Sequence, residues 1–98
     1  KFAENFINYS IKKNWGLDKI IRELNIRKVK STDYQEFLED ISNDTDFFIK
    51  ALNSAEKKMR LLSSKPIDKQ KNSIFRHLIS KGYSYDIVKD VIHKLFNE

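Results

Sequence analysis

The chain is 98 residues long and carries 19 basic against 14 acidic side chains, a net charge of +5. That length admits one small domain or two very small helical units and excludes a large multidomain enzyme. Zero cysteines remove disulfides and thiolate metal sites, which suits a reducing cytosol. The longest unbroken apolar run, Phe47-Phe48-Ile49, is far too short to span a bilayer. Two glycines and one proline cannot supply the tight turns of an all-β chain of this length, so helix is the default.

Six amphipathic stretches follow, each with apolar residues at three- and four-residue spacing. The first covers residues 2–13, with Phe2, Ala3, Phe6, Ile7 and either Tyr9 or Ile11 inward, and stops near Asn14-Trp15-Gly16. The second runs from Leu17 to Arg27 and buries Leu17, Ile20, Ile21 and Leu24. With Gly16 as N-cap, Trp15 and Ile20 have the spacing of a hydrophobic staple. The third starts near Thr32, where Thr32-Asp33-Tyr34-Gln35 reads as a capping box, and buries Tyr34, Phe37, Leu38 and Ile41.

Ser42-Asn43-Asp44-Thr45 reads as a break with a fresh N-cap. The fourth helix is the longest, with Phe48, Ala51, Leu52, Ala55, Met59 and Leu62 along one face. Pro66 turns Lys65 away from helix and suits the first turn of the next. The fifth helix, residues 67–81, buries Ile74, Phe75, Leu78 and Ile79, and Gly82 is placed to close it in the left-handed conformation. Ser84 then caps the sixth, which carries Ile87, Val88, Val91, Ile92, Leu95 and Phe96.

The chain repeats itself. A shift of 54 residues matches Ile20 to Ile74, Ile21 to Phe75, Leu24 to Leu78 and Val29 to Tyr83. It continues through Tyr34 to Val88, Phe37 to Val91, Leu38 to Ile92 and Ile41 to Leu95. Apolar positions thus recur across two helices and the turn between them. The expected fold is all-α, two tandem three-helix repeats over residues 1–42 and 43–98, about six helices in an elongated array. Each unit alone is too small to be comfortably self-supporting, so the two should pack on each other or on whatever once preceded Lys1.

Charge follows the same division. Residues 1–30 hold eight basic and three acidic side chains, and residues 49–81 hold nine and two. Residues 31–48 hold six acidic side chains and no basic one. The first two helices of each unit are therefore basic and the third helices are not. This argues against a homeodomain-like reader, whose third helix enters the major groove with basic and amide side chains. Here that helix presents Asp33, Glu36, Glu39 and Asp40, which a phosphate-lined groove repels. The plain reading of the lysines stands beside any functional one. Fifteen of the nineteen basic residues are Lys, in a chain rich in Ile and Asn, a mixture that the codon bias of an AT-rich genome also produces.

Catalytic signatures are missing from the sequence. There is no glycine-rich phosphate loop, no G-x-S-x-G and no cysteine nucleophile. His77 and His93 lack the spacing that puts two imidazoles on one helical metal face. Glu36 and Asp40 read as solvated charges on an acidic face, and Trp15 as a packing anchor. We expect no enzyme, no cofactor and no metal.

Three segments carry a resemblance. Phe2-Ala3-Glu4-Asn5-Phe6-Ile7, then Lys13-Asn14-Trp15-Gly16 with Ile20-Ile21-Arg22-Glu23-Leu24, then His77 through Val88 resemble the C-terminal two-thirds of the RecX family. These are bacterial regulatory proteins that modulate the RecA recombinase. The matching motifs mark turns and core. The family's unit usually carries glycine where this chain has Lys28, which implies either a strained left-handed residue or a different turn. The family also has three such units, so the resemblance implies a chain that has lost its first.

The resemblance implies a cytoplasmic, monomeric regulator that lodges in the groove of the RecA filament and restrains its recombination, ATPase and coprotease activities, and with them DNA repair and the SOS response. The charge map, rather than the family, nominates Lys12, Lys13, Lys19, Arg22, Lys57, Lys58, Arg60 and Arg76 as recombinase or DNA contacts. Contact with single- or double-stranded DNA is expected to be weak. Two rival readings are a single-stranded nucleic-acid-binding module with no recombinase partner, and a helical adaptor whose basicity has no role.

Overall fold

The apolar spacing is realised as six α-helices, with no strand among the described residues. In the computed structural model, which describes residues 2–97, α1 spans Phe2–Lys12, α2 Leu17–Ile26 and α3 Gln35–Asp44. Helix α4 spans Phe47–Leu61, α5 Ile67–Ser80 and α6 Tyr85–Phe96. Helices α4, α5 and α6 pack on one another, α1 packs on α2, and the whole measures 45 × 23 × 18 Å. This is the elongated all-α array of three-helix repeats expected from the sequence.

The repeat is visible in the core. Ile20, Leu24, Ile74 and Leu78 are all fully enclosed, and burial of each such side chain stabilises by roughly 1.5–3 kcal/mol. Tyr34, Leu38, Tyr83, Val88 and Val91 join them, with Val29, Phe37, Ile41, Ile92 and Leu95 half-buried against the same core.

The repeat extends to the hydrogen bonds that end the helices. At the close of α5 the Gly82 amide donates to the Ile79 carbonyl at 3.0 Å and Tyr83 to Leu78 at 3.2 Å. At the close of α2, Lys28 donates to Asn25 and Val29 to Leu24, both at 3.0 Å. Each pair is a Schellman closure displaced by the same shift as the core. It requires a left-handed residue, and Gly82 and Lys28 stand at φ 95° and 60°. The strained alternative for Lys28 is therefore the one adopted. Asn14, φ 66°, closes α1 in the same way, with Asn14 donating to Ile11 and Trp15 to Ser10.

Local departures from the expected pattern have identifiable causes. Ser84 caps α6 by accepting from the Ile87 amide at 3.4 Å. The equivalent of Ser84 in the first unit is Lys30, which has no acceptor, and the chain there tightens into a 3₁₀ turn at Ser31–Asp33. The capping box at Thr32 does not form, and α3 starts after Tyr34 with no side-chain cap. The break before α4 falls at Thr45-Asp46, later than predicted, and Asp46 supplies the cap by accepting from Ile49 at 3.1 Å. Pro66 occupies the N-cap of α5 rather than its first turn. Phe47, not Phe48, is the enclosed residue of that pair. Phe2 and Ile79, predicted inward, are 59% and 40% exposed, because both lie at the edge of their helix's apolar stripe.

The two units meet at two helix ends. The Gly16 amide donates to the Lys81 carbonyl at 2.7 Å, and the Asp18 amide to the Gly82 carbonyl at 3.0 Å. A Cβ on Gly16 would strike the Gly82 carbonyl and lie 2.6 Å from the Tyr83 nitrogen. A Cβ on Gly82 would strike that of Lys19 and lie 2.9 Å from its Cα. The enclosed Tyr83 hydroxyl then donates to the Asn14 carbonyl at 2.7 Å, and burial pushes its pKa up to about 12. Substitution at the two kinds of turn should act in opposite directions. Gly16→Ala should cost about 2–3 kcal/mol through overpacking against backbone, whereas Lys28→Gly should add about 0.5–1 kcal/mol by relieving the left-handed strain. Thermal melts of both variants check this.

Candidate binding cleft at the seam

The nominated basic residues do not form one face. Their positions follow from the helices that carry them. Lys57 and Lys58 lie on α4, where they line a cleft of about 370 Å³ with Asn14, Ser54, Leu61, His77 and Lys81. Asn14 comes from the turn between α1 and α2, and His77 and Lys81 lie one turn apart along α5 and its C-cap. The cleft therefore straddles the seam. Three ammonium groups and an imidazole line it, with no carboxylate among its lining residues.

Lys13 and Lys19 flank Trp15, the residue that follows Asn14 in the chain. The Lys19 ammonium sits over the indole at 4.3 Å from its centroid, and the Lys13 ammonium lies 5.9 Å from the same ring and 5.1 Å from Tyr9. Trp15 is the packing residue that was expected, half-buried and edge-on to Phe6 at 6.0 Å. Lys12 is exposed at the end of α1. Arg22 lines a separate shallow groove with Asp18, Ile21, Asn25 and Ile26 on α2. Arg60 faces another, with Glu56, Met59 and Leu95. Arg76 is exposed on α5 away from the cleft lining.

Sequence reasoning left Asn14, Lys81 and His77 off the set of contacts. Asn14 and Lys81 each adjoin a helix closure, and His77 and Lys81 stand four apart on one helical face. Those closures locate both turns, but their meeting is a tertiary event. His77 Nε2 lies 3.0 Å from Ser54 Oγ, so it belongs to the α4–α5 interface as well as to the cleft.

Electrostatics inside the cleft are visible at His77. Burial pushes its pKa below the ordinary 6.5, and the Lys81 and Lys58 ammonium groups push it further down. The neutral ring is the folded form at physiological pH. A lowered folded value means that the unfolded chain binds this proton more readily. The contribution of His77 to stability is thus complete above pH 6.5 and lost as the pH falls through the folded value. Replacing Lys58 or Lys81 with Ala should move the His77 titration back up toward 6.5, read from the imidazole proton shifts by NMR.

Among the described residues no helix is long and apolar enough to cross a membrane, and no group of three His, Asp or Glu side chains is placed to hold a metal. The acidic face of α3, with Glu36, Glu39 and Asp40 exposed, turns away from a groove-reading role.

The fold and this seam define a class of protein. It is a tandem array of small three-helix units with a lysine-lined cleft at the junction between units. The family profile described as RecX, third three-helix domain, matches residues 44–92. The chain belongs to the RecX family. It is 41% identical over 101 residues to the regulatory protein RecX of Clostridium perfringens strain 13, covering 99% of this chain and 46% of that one. It is 34% identical over 98 residues to that of Clostridium botulinum strain Eklund 17B, covering 98% of this chain and 45% of the other. For Haemophilus influenzae strain PittEE the identity is 29% over 93 residues, covering 94% and 60% respectively. The chain thus spans about half the length of the curated relatives it matches. No solved structure matches it.

Proposed function

We propose that the protein is a non-enzymatic, cytoplasmic regulator that binds the RecA recombinase filament as a monomer. By lodging there it restrains recombination, ATP hydrolysis and coprotease activity, and so modulates DNA repair and the SOS response. Two repeats, residues 1–42 and 43–98, form the binding array. The observation that carries this reading is membership of the RecX family, with similarity running over 99% of the chain. The charge distribution supports it, since an elongated array with basic side chains on several surfaces suits a groove lined by protein carboxylates and DNA phosphates.

Arg22, Arg60 and Arg76 are the arginines to test. They are exposed, and none forms an ion pair among the described residues. Lys19 is a poor test residue, because its backbone presses on Gly82 and its ammonium covers Trp15. Reversal of the three arginines to Glu should remove about 1 kcal/mol each of favourable charge interaction. The concentration giving half-inhibition of RecA–single-stranded-DNA ATPase should therefore rise by about a hundredfold, with the helical spectrum unchanged. Unchanged inhibition by a folded variant would remove these residues from the contact. A chain that binds bare DNA tightly with steep salt dependence, while leaving filament ATPase untouched, would favour the nucleic-acid-module reading instead.

A further inference from the structure

We propose that the cleft at the seam is a phosphate-binding site that takes the backbone of single-stranded nucleic acid, with Lys57, Lys58, Lys81 and Asn14 as its donors. The proposal rests on the filament reading only for where such a strand would be met.

Lys57 and Lys58 approach the cleft from α4, Lys81 from the end of α5 and Asn14 from the α1–α2 turn. With no carboxylate in the lining, like charges are held together where α4 and α5 border the seam between the two units. Such an arrangement is unfavourable until an anion enters. Burial, and then the Lys81 and Lys58 ammonium groups, already push the His77 pKa down at this cleft. Single-point ammonium and amide donors arriving from three elements suit the divergent oxygens of a tetrahedral phosphate. A planar carboxylate is better matched by a guanidinium fork, and the cleft contains no arginine.

The surroundings favour a strand over an isolated phosphate. Asn14 is adjacent in sequence to Lys13 and Trp15, and Tyr9, Lys13, Trp15 and Lys19 form a neighbouring cluster of aromatic rings and ammonium groups. Lysines that continue beyond the cleft can follow successive phosphates of a sugar-phosphate backbone, and the exposed Tyr9 ring is the aromatic surface beside them. A duplex reader would need a basic helix to enter a groove, and α3 is acidic.

The test uses the full chain and three probes at low salt: a short fluorescent oligothymidylate, a short oligoglutamate peptide and inorganic phosphate. Oligothymidylate should bind with an affinity that falls steeply as salt rises and should shift the amide resonances of Asn14 and Lys81. It should also raise the His77 pKa, because a bound anion opposes Lys58 and Lys81; Lys57, the Asn14 amide and the Ser54 hydroxyl are the other polar groups lining the cleft with that ring. The double variant Lys57→Ala with Lys81→Ala should weaken binding about tenfold. Lys69→Ala with Lys94→Ala removes the same charge from exposed positions elsewhere and should weaken it by less than about threefold. Equal losses in the two doubles would overturn the site, as would oligothymidylate binding that leaves Asn14, His77 and Lys81 unshifted. Tighter binding of oligoglutamate at the same resonances would overturn the phosphate assignment, and a response to inorganic phosphate without one to oligothymidylate would overturn the strand. None of these readouts involves RecA, so failure of the filament reading leaves them interpretable.

Discussion

The architecture hangs on one junction between helix ends. Where α5 stops, the carbonyls of Lys81 and Gly82 have no further turn to bond, and where α2 starts, the amides of Gly16 and Asp18 have none either. Each set satisfies the other. The negative end of one helix dipole also meets the positive end of the other, so the bonds and the field act in the same direction. Such an approach is possible only where neither backbone carries a side chain, and both glycines of the chain are spent on it. Tyr83 fastens the contact from beneath through the Asn14 carbonyl. The relative placement of the units, and with it every feature that spans them, depends on this backbone-to-backbone fit.

The repeat explains why the junction is made once within the chain. Applying the 54-residue shift puts Lys28 at the place of Gly82, Lys30 at that of Ser84 and Gln70 at that of Gly16. The fold tolerates each exchange at local expense. Lys28 adopts the left-handed conformation with a side chain attached, and Lys30 leaves the following turn to tighten. Gln70 does something different. Buried at the start of α5, its side-chain amide donates to the carbonyls of Leu62 and Lys65 and so finishes α4. Positions equivalent in the repeat thus serve closure in one unit and docking in the other.

These particulars show what a single sequence discloses. The apolar face of each helix, the repeat and the closure at Gly82 are local, and spacing makes them readable. Gly16 reads as an N-cap, and it is one, but its second role against Gly82 involves residues 66 positions apart and leaves no periodic trace. The start of α3 departs from its local sequence signal for a related reason. Thr32-Asp33-Tyr34-Gln35 has the composition of a capping box, yet the repeat register places the cap at Lys30, and core packing of Tyr34 and Leu38 holds that register. The charged residues were legible as a count and as a division between segments. Which of them meet was not. Lys57 and Lys58 gain Lys81 and His77 as neighbours through packing of α4 on α5, and Asn14 only through the seam. Arg60, two residues beyond Lys58, turns to the α6 side of the same helix.

Position at the seam gives the cleft a thermodynamic consequence that a basic patch on one helix would lack. Asn14 belongs to the first unit, and Lys57, Lys58, His77 and Lys81 to the second. An anion bound by both sets is bound only while the units are docked, so its binding free energy adds to that of the junction. The reverse also holds, because linkage is symmetric. Anything that loosens the Gly16–Gly82 fit separates the donors and weakens the anion's hold. Without an anion, the lysines crowd one another across the α4–α5 packing of the second unit, and burial together with Lys81 and Lys58 favours the neutral form of His77. A cleft assembled in this way couples occupancy to the geometry between units. Under the proposed filament reading, that coupling would let contact with the partner set the angle at which successive units meet.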